Sequence, residues 1–251
     1  MAKTLDVPVE LRQFNKLFNE LAYYNDDSIV FDDFLTYTIS MFMFYEHRDI
    51  DNLNRIKSNY KNGFKGFYEL FKELINVMGK MITDEGSWYD PLGDYYMIIS
   101  SRGKKSSMGQ FFTPPEICDV MTMLNFPKDQ TIKCQKVSDP TCGSGRILLS
   151  FHAFNPGNLV FGDDLDPMCA KMSVINMVMH GCEGQVNHMD SLAVKWFKGW
   201  NINPLIHRLG IPNVTPIKNE DHAFSVKVWE AKKNEVEEKV PIVKRGQLTL
   251  F

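Results

Sequence analysis

The chain lacks the groupings that would mark a metal site or a disulfide framework. Its five cysteines, Cys118, Cys134, Cys142, Cys169 and Cys182, show no CxxC or Cys/His spacing and are odd in number. No metal is expected, and free thiols suit a reducing cytoplasm. A basic-then-apolar leader is missing, and no apolar run approaches the width of a bilayer, so the reading is of a soluble, cytoplasmic protein with no membrane partner. An excess of positive charge is missing too. A formal net charge of -3 excludes a nucleic-acid binder that works through overall charge, and leaves any such contact to a partner or to a local patch such as Arg102-Gly103-Lys104-Lys105. What is present is a chain of 251 residues, 44% of them hydrophobic, which suffices for one large domain or two small ones.

Two periodicities divide it. From about residue 5 to residue 81 the apolar residues recur at helical spacing: Leu11, Phe14, Leu17, Phe18, Leu21; then Phe34, Tyr37, Ile39, Met41, Phe42; then Phe64, Phe67, Leu70, Phe71, Leu74. These predict three or more amphipathic helices, with polar breaks at residues 25–28 and 49–54 and with the aromatics serving as core. From about residue 131 short strand-like runs alternate with helical ones: 131–138 then 146–154, 158–162 then 167–180 with Gly181 as the cap, then 185–189. That alternation predicts a parallel sheet with right-handed crossovers, whose ligands bind beyond the carboxyl ends of the strands. Residues 223–229 are the best later strand candidate, and the charged run 232–239 reads as a solvated helix or tail.

The candidate site lies at those strand ends. Asp139-Pro140-Thr141-Cys142-Gly143-Ser144-Gly145-Arg146 stands where the first strand turns into its helix, and its glycines let backbone approach a ligand. It is neither GxGxxG, since residue 148 is Leu, nor a P-loop, since no GK[ST] follows. Taken alone the turn is as consistent with plain structure as with a ligand. The second strand ends in Gly162-Asp163-Asp164-Leu165-Asp166-Pro167, where Asp164 is placed to accept from a ribose diol and Asp166, followed by Pro167, to cap a helix. Asp190 closes the third strand, in reach of an adenine amino group. Upstream, Thr113 and Glu116 have the spacing of a capping box, and a helix start of that kind also attracts a carboxylate.

Three segments in order, Asp90-Pro91-Leu92-Gly93-Asp94-Tyr95-Tyr96, then Gly109-Gln110-Phe111-Phe112-Thr113-Pro114, then Asp139 to Gly145, resemble the N6-adenine DNA methyltransferase family, especially the modification subunits of type I restriction-modification systems. The resemblance covers roughly residues 90–192. It implies an α/β fold: a helical N-terminal domain over 1–107, a Rossmann-like methyltransferase domain binding S-adenosylmethionine over 108–217 and shortened at its C-terminal end, and a charged extension over 218–251. By the same resemblance Phe111 and Thr113 hold the methionine end of the cofactor with Asp139, Thr141, Gly143 and Gly145, Asp164 holds the ribose and Asp190 the adenine. DNA is the implied substrate and a specificity or completing subunit an implied partner, although the pocket alone leaves methylation of RNA or protein open.

In that family an Asn-Pro-Pro-aromatic motif holds the extruded base. This chain has none. The nearest candidate is Asn203-Pro204, which keeps the two acceptors of the motif or forms an ordinary turn. The implied activity is adenine N6 methylation with Asn203 and Pro204 as a reduced catalytic motif, and its rival is an inactive scaffold that binds cofactor, DNA or the sliding clamp. The end of the sequence, Gln247-Leu248-Thr249-Leu250-Phe251, is similar to the peptides with which bacterial DNA-processing proteins dock on the sliding clamp, Gln247, Leu248, Leu250 and Phe251 being the anchors.

Overall fold

Large apolar side chains at helical spacing build the first hundred residues. The computed structural model describes residues 7–61, 63–84, 86–100, 112–126 and 133–239. In it these stripes form α1 (Arg12–Leu21), α2 (Asp27–Phe42), α3 (Ile50–Asn59), α4 (Lys65–Met81) and α5 (Pro91–Ser100). Asp26 opens α2 by accepting from the Ser28 amide at 2.9 Å, and Asp49 opens α3 by accepting from the Asn52 amide at 3.1 Å. The second cap corrects one expectation: residues 49–54 are not a break, because Asp49 starts a helix that runs through them. Phe14 and Phe18 are buried edge-on against Tyr95, with ring centroids 4.9 and 5.1 Å away, and the Tyr95 hydroxyl donates to Asn15 at 3.1 Å. The aromatics of this region are core, as their spacing implies.

After α6 (Pro115–Asn125) comes one sheet, in which β1 (Lys136–Asp139), β2 (Leu159–Asp164), β3 (Glu183–Asp190), β4 (Lys195–Ile202) and β5 (Val214–Pro216) lie in sequence order. The first three strands are parallel and are joined through α7 (Arg146–Phe154) and α8 (Pro167–Met179), which is the expected alternation. The rest departs from it. β4 runs antiparallel to β3, and β5 antiparallel to β4. The chain reverses at residues 191–194 because Asp190 accepts from the amides of Leu192 and Ala193, closing a tight turn instead of starting a crossover helix. Residues 223–229 are not a strand either: beyond the single turn α9 (Ile206–Leu209), they enter α10 (Phe224–Lys239).

Alternation along β2 assigns the two faces of the sheet. Gly162 sits beneath Cys142 and Leu148 on the face covered by α7 and α8, whereas Phe161 and Asp163 point to the other. There the first turn of α10 is pinned down: Phe224 stacks on Phe161 at 3.9 Å, its amide donates to Gln185 at 2.8 Å, and the Ser225 hydroxyl donates to Asp163 at 2.6 Å. The helical layer runs in the order α6, α7, α8. α7 lies over β1 and β2, α8 lies over β2 to β4, and α6 packs against α7 on the side where the sheet has ended. One apolar cluster, from Val7 to Val214, joins the N-terminal helices to this layer.

His180 fastens the end of α8 to the segment before α5. Its Nδ1–H donates to the Asn176 carbonyl at 2.7 Å and its Nε2 accepts from the Tyr89 amide at 3.2 Å, the tautomer that these two partners require. Burial pushes its pKa from 6.5 down to about 4, with the Asn176 carbonyl opposing. The folded state therefore holds the neutral ring while the unfolded chain protonates near the ordinary value, so this contribution is complete above about pH 6.5 and is lost as pH falls towards 4. Urea unfolding of wild type and His180→Gln at pH 7 and pH 5 checks it: the stability gap between them should shrink at the lower pH, and a constant gap would refute the assignment.

Candidate functional site

The carboxyl ends of β1 and β2 form an open cleft whose deep end has a volume of about 200 Å³ and is lined by Phe112, Thr113, Asp139, Thr141, Gly143 and Asp164, among others. Its floor is the turn from Asp139 to Gly145. Gly143 and Gly145 have φ of +57° and +94°, and a Cβ on them would stand 3.0 Å from the Phe112 ring and 2.9 Å from the Ser173 hydroxyl respectively. The backbone can thread between Phe112 and α8 only because both residues lack a side chain.

Two carboxylates face this cleft. Asp164 accepts from the amides of Gly143 and Asp166, each at 2.8 Å, and so holds the turn against the end of β2. Asp139 accepts from the Thr141 amide at 3.0 Å. Burial raises the pKa of both, and the amide donors only partly offset it. Each oxygen in these bonds keeps a further lone pair, so the cleft offers acceptors suited to hydroxyl or ammonium donors. The neighbouring Asp163 is turned away, under α10, where Asn187 and Ser225 satisfy it. Strand alternation thus distinguishes two adjacent aspartates. Asp190 stands at the end of β3, brought near the turn by Ser191, whose hydroxyl donates to the Pro140 carbonyl at 2.8 Å. It is outside the deep part of the cleft, and one of its oxygens is taken by the turn that follows it.

Beneath the floor lies a buried polar cluster. The Asp90 carboxylate receives four donors: the Gly93 amide at 2.7 Å, Asn176 at 2.7 Å, the Ser144 hydroxyl at 2.5 Å and Arg146 Nε at 2.7 Å. Arg146 also donates to Asp94 at 2.5 Å and to the Thr113 carbonyl at 3.2 Å, and its guanidinium lies 5.5 Å from the centroid of Phe112. One side chain therefore connects α5, the glycine turn and the Phe112–Thr113 wall. Gly93 is required here as well, because a Cβ on it would lie 2.1 Å from an Asp90 oxygen. The sequence reading noticed the Asp90 to Asp94 run but gave it no role. The signal was present: two aspartates amid residues that are otherwise apolar, with an arginine closing the later motif.

The structure corrects two expectations about the site. Thr113 and Glu116 do not form a capping box; α6 begins after Pro114 without a side-chain cap, and the Thr113 carbonyl is engaged by Arg146 instead. Asn203 is not in the cleft. Because β4 runs antiparallel, its last residue, Ile202, pairs with Gly184 at the start of β3, and Asn203 follows at the end of the sheet opposite the cleft. Its side chain is fully buried, donates to the carbonyls of Val178 and Cys182 at 3.1 and 2.8 Å, and accepts from the Asn213 amide at 2.9 Å. With φ of +52° it holds a turn, and Pro204 continues that turn. Neither residue can receive a base in the cleft. Phe111, the Arg102 to Lys105 patch and the Gln247 to Phe251 peptide lie outside the described residues. No group of three or more His, Cys, Asp or Glu among the described residues is arranged to hold a metal, and none of their helices is long and apolar enough to cross a membrane.

A glycine turn at the first parallel strand, an acidic residue at the end of the second and an open cleft above both define an α/β protein of the nucleotide-cofactor-binding class. The model of the N-6 DNA methylase family matches residues 87–241, more than half of the chain, and the chain belongs to that family. It is 29% identical over 154 residues to the type I restriction enzyme MjaVIII methylase subunit of Methanocaldococcus jannaschii, a match covering 53% of this chain and 26% of that protein. It is 26% identical over 176 residues to the MpnII methylase subunit of Mycoplasma pneumoniae, covering 59% and 32%. A crystal structure of a type I restriction-modification methyltransferase subunit from Streptococcus thermophilus aligns at 23% identity and a TM-score of 0.32, over 51% of this chain and 28% of that one. The chain thus spans a quarter to a third of the length of these relatives.

The buried cluster makes a direct prediction. Arg146→Met keeps much of the volume but leaves Asp90 and Asp94 without their cation, which should lower stability by about 3–5 kcal/mol. Urea unfolding measures this, and a loss below about 1 kcal/mol would show that the cluster does not carry the fold as described.

Proposed function

We propose that the cleft binds S-adenosylmethionine and that this chain is the cofactor-holding part of a methyltransferase acting on adenine N6 in DNA. The observation that carries the reading is the joining of the glycine turn to Asp164 through the Gly143 amide, which sets a desolvated carboxylate beside backbone too close for any side chain. The fit is chemical. The cofactor has an ammonium group, a sulfonium, a ribose diol and an adenine; the cleft has two carboxylates raised in pKa by burial, which a cationic ligand would return to their ionised form. Asp139, Thr141, Gly143, Gly145 and Thr113, with Phe111 beside them in sequence, hold the amino-acid end. Asp164 accepts from the ribose hydroxyls, and the remaining oxygen of Asp190 accepts from the adenine amino group. When bound, S-adenosylmethionine supplies the methyl group.

What the chain itself contributes is binding and orientation. Reaching N6 requires an extruded base, and the groups that hold such a base must converge on the cleft. Asn203 and Pro204 do not, so the base-holding half of the site comes from another polypeptide, and methyl transfer to DNA requires both. This differs from a cofactor-binding scaffold, which would methylate in no company. A specificity or completing subunit and DNA are the partners proposed. The sliding clamp is a further proposed partner, through Gln247, Leu248, Leu250 and Phe251, on sequence alone.

Calorimetric titration with S-adenosylmethionine is the test. Wild type should bind, and Asp164→Ala should bind at least tenfold more weakly, as expected for losing charge-assisted bonds of about 1.5–3 kcal/mol each. Because burial raises the pKa of Asp139 and Asp164, acidification should weaken binding at a higher pH than ordinary aspartates would dictate. Absence of binding by wild type at neutral pH would overturn the proposal.

A further inference from the structure

Building on the preceding reading of the cleft, we propose that the outer edge of β1 and the apolar face of α6 form one docking surface for a second, different polypeptide that adds β-strands beside β1. Three observations converge on it. First, β1 is the end of the sheet, and no strand among the described residues pairs with its outer edge. The Gln135 carbonyl accepts from the Leu159 amide on the β2 side, so by strand alternation Lys136 and Ser138 direct their amides and carbonyls outward. Such edges are commonly guarded by an outward lysine, but the Lys136 ammonium is folded back over the Phe224 ring at 5.1 Å. Second, α6 carries Ile117, Val120, Met121 and Leu124 at i, i+3, i+4 and i+7, and they are 48%, 51%, 40% and 77% exposed. The opposite side of that helix, with Cys118 and Thr122, is the one buried against α7. Third, α6 extends the helical layer beyond the last strand. Helices pack about 8–10 Å apart and strands about 4.8 Å apart, so one overhanging helix leaves room for about two strands.

The occupant follows from these facts. Only a strand satisfies the outward amides and carbonyls of β1, and only apolar side chains cover the α6 stripe. A second copy of this chain does not fit. A two-fold axis that paired two β1 edges would place both α6 helices on one face of the joined sheet, each over the other copy's β1 and β2, where α7 already lies. A different chain supplying strands has no such clash. A strand laid parallel to β1 would also end beside Asp139, at the cleft, where the base-holding groups missing from this chain are needed.

The test is site-specific photo-crosslinking of the full-length chain in its native host from position 120, with position 24, 87% exposed on the N-terminal helices, as control. The expected result is one 1:1 adduct from position 120 alone, to a chain of different sequence. That chain, purified, should slow amide exchange at Lys136 and Ser138 at least tenfold. Ser138→Pro removes an outward amide and leaves the β2 pairing intact, and Val120→Glu alters an exposed position; each should weaken the complex at least tenfold. Adducts between copies of this chain, equal adducts from position 24, no adduct, or a complex indifferent to both substitutions would overturn the inference. Titration of S-adenosylmethionine into the same preparation separates the two proposals: cofactor binding without the complex sinks the docking surface alone, and a complex without cofactor binding sinks the reading of the cleft.

Discussion

The ion pair between Arg146 and Asp90 is the constraint on which the rest of the site depends. A carboxylate removed from water costs several kcal/mol unless its lone pairs are filled, and here all four positions are filled: from α5 by Gly93, from the glycine turn by Ser144, from α7 by Arg146 and from α8 by Asn176. Each donor belongs to a different element, so satisfying one aspartate fixes four elements in relation to one another. Arg146 then carries that order outward to the Thr113 carbonyl and the Phe112 ring, which wall the cleft. Burial alone would disfavour the guanidinium charge, and Asp90 and Asp94 more than offset this, so its pKa is raised. The N-terminal helices are thereby coupled to the cleft chemically as well as through the shared apolar core.

Much of this was legible in the sequence where local chemistry decides the outcome. The helical stripes, the bounds of α7, the Asp166 cap with Pro167 after it, and the placing of the glycine turn before α7 all follow from spacing and capping residues. What was not legible depends on contacts distant in sequence. β4 was overlooked because Trp196, Lys198 and Trp200 alternate too irregularly beside a glycine to read as a strand, and its direction is set by the turn at Asp190. Asn203 carried the residue types of a catalytic motif, but the reversal of β4 takes it to the wrong end of the sheet. Asp163 and Asp164 are equivalent in composition, and only the covering of one face by α10 separates them.

The sheet itself divides the molecule into a finished side and an unfinished one. On the β3 side two antiparallel strands and the first turn of α10 close the core, with Asp163, Asn187 and Trp196 satisfied in a buried chain of hydrogen bonds. On the β1 side the strand is largely exposed and the helical layer overhangs it. The cleft lies at the junction of the two. A protein built in this way can order a cofactor from the finished side while leaving the reacting base to whatever completes the other.

The central claim is that the cleft is shaped for S-adenosylmethionine, and the most direct measurement is a crystal structure of the chain grown with its demethylated product, S-adenosylhomocysteine. The account predicts ribose hydroxyls within hydrogen-bond distance of Asp164, with the amino-acid end over the turn from Asp139 to Gly145 and against Thr113. Ligand density elsewhere on the molecule, or a cleft from which saturating ligand is absent, would contradict it.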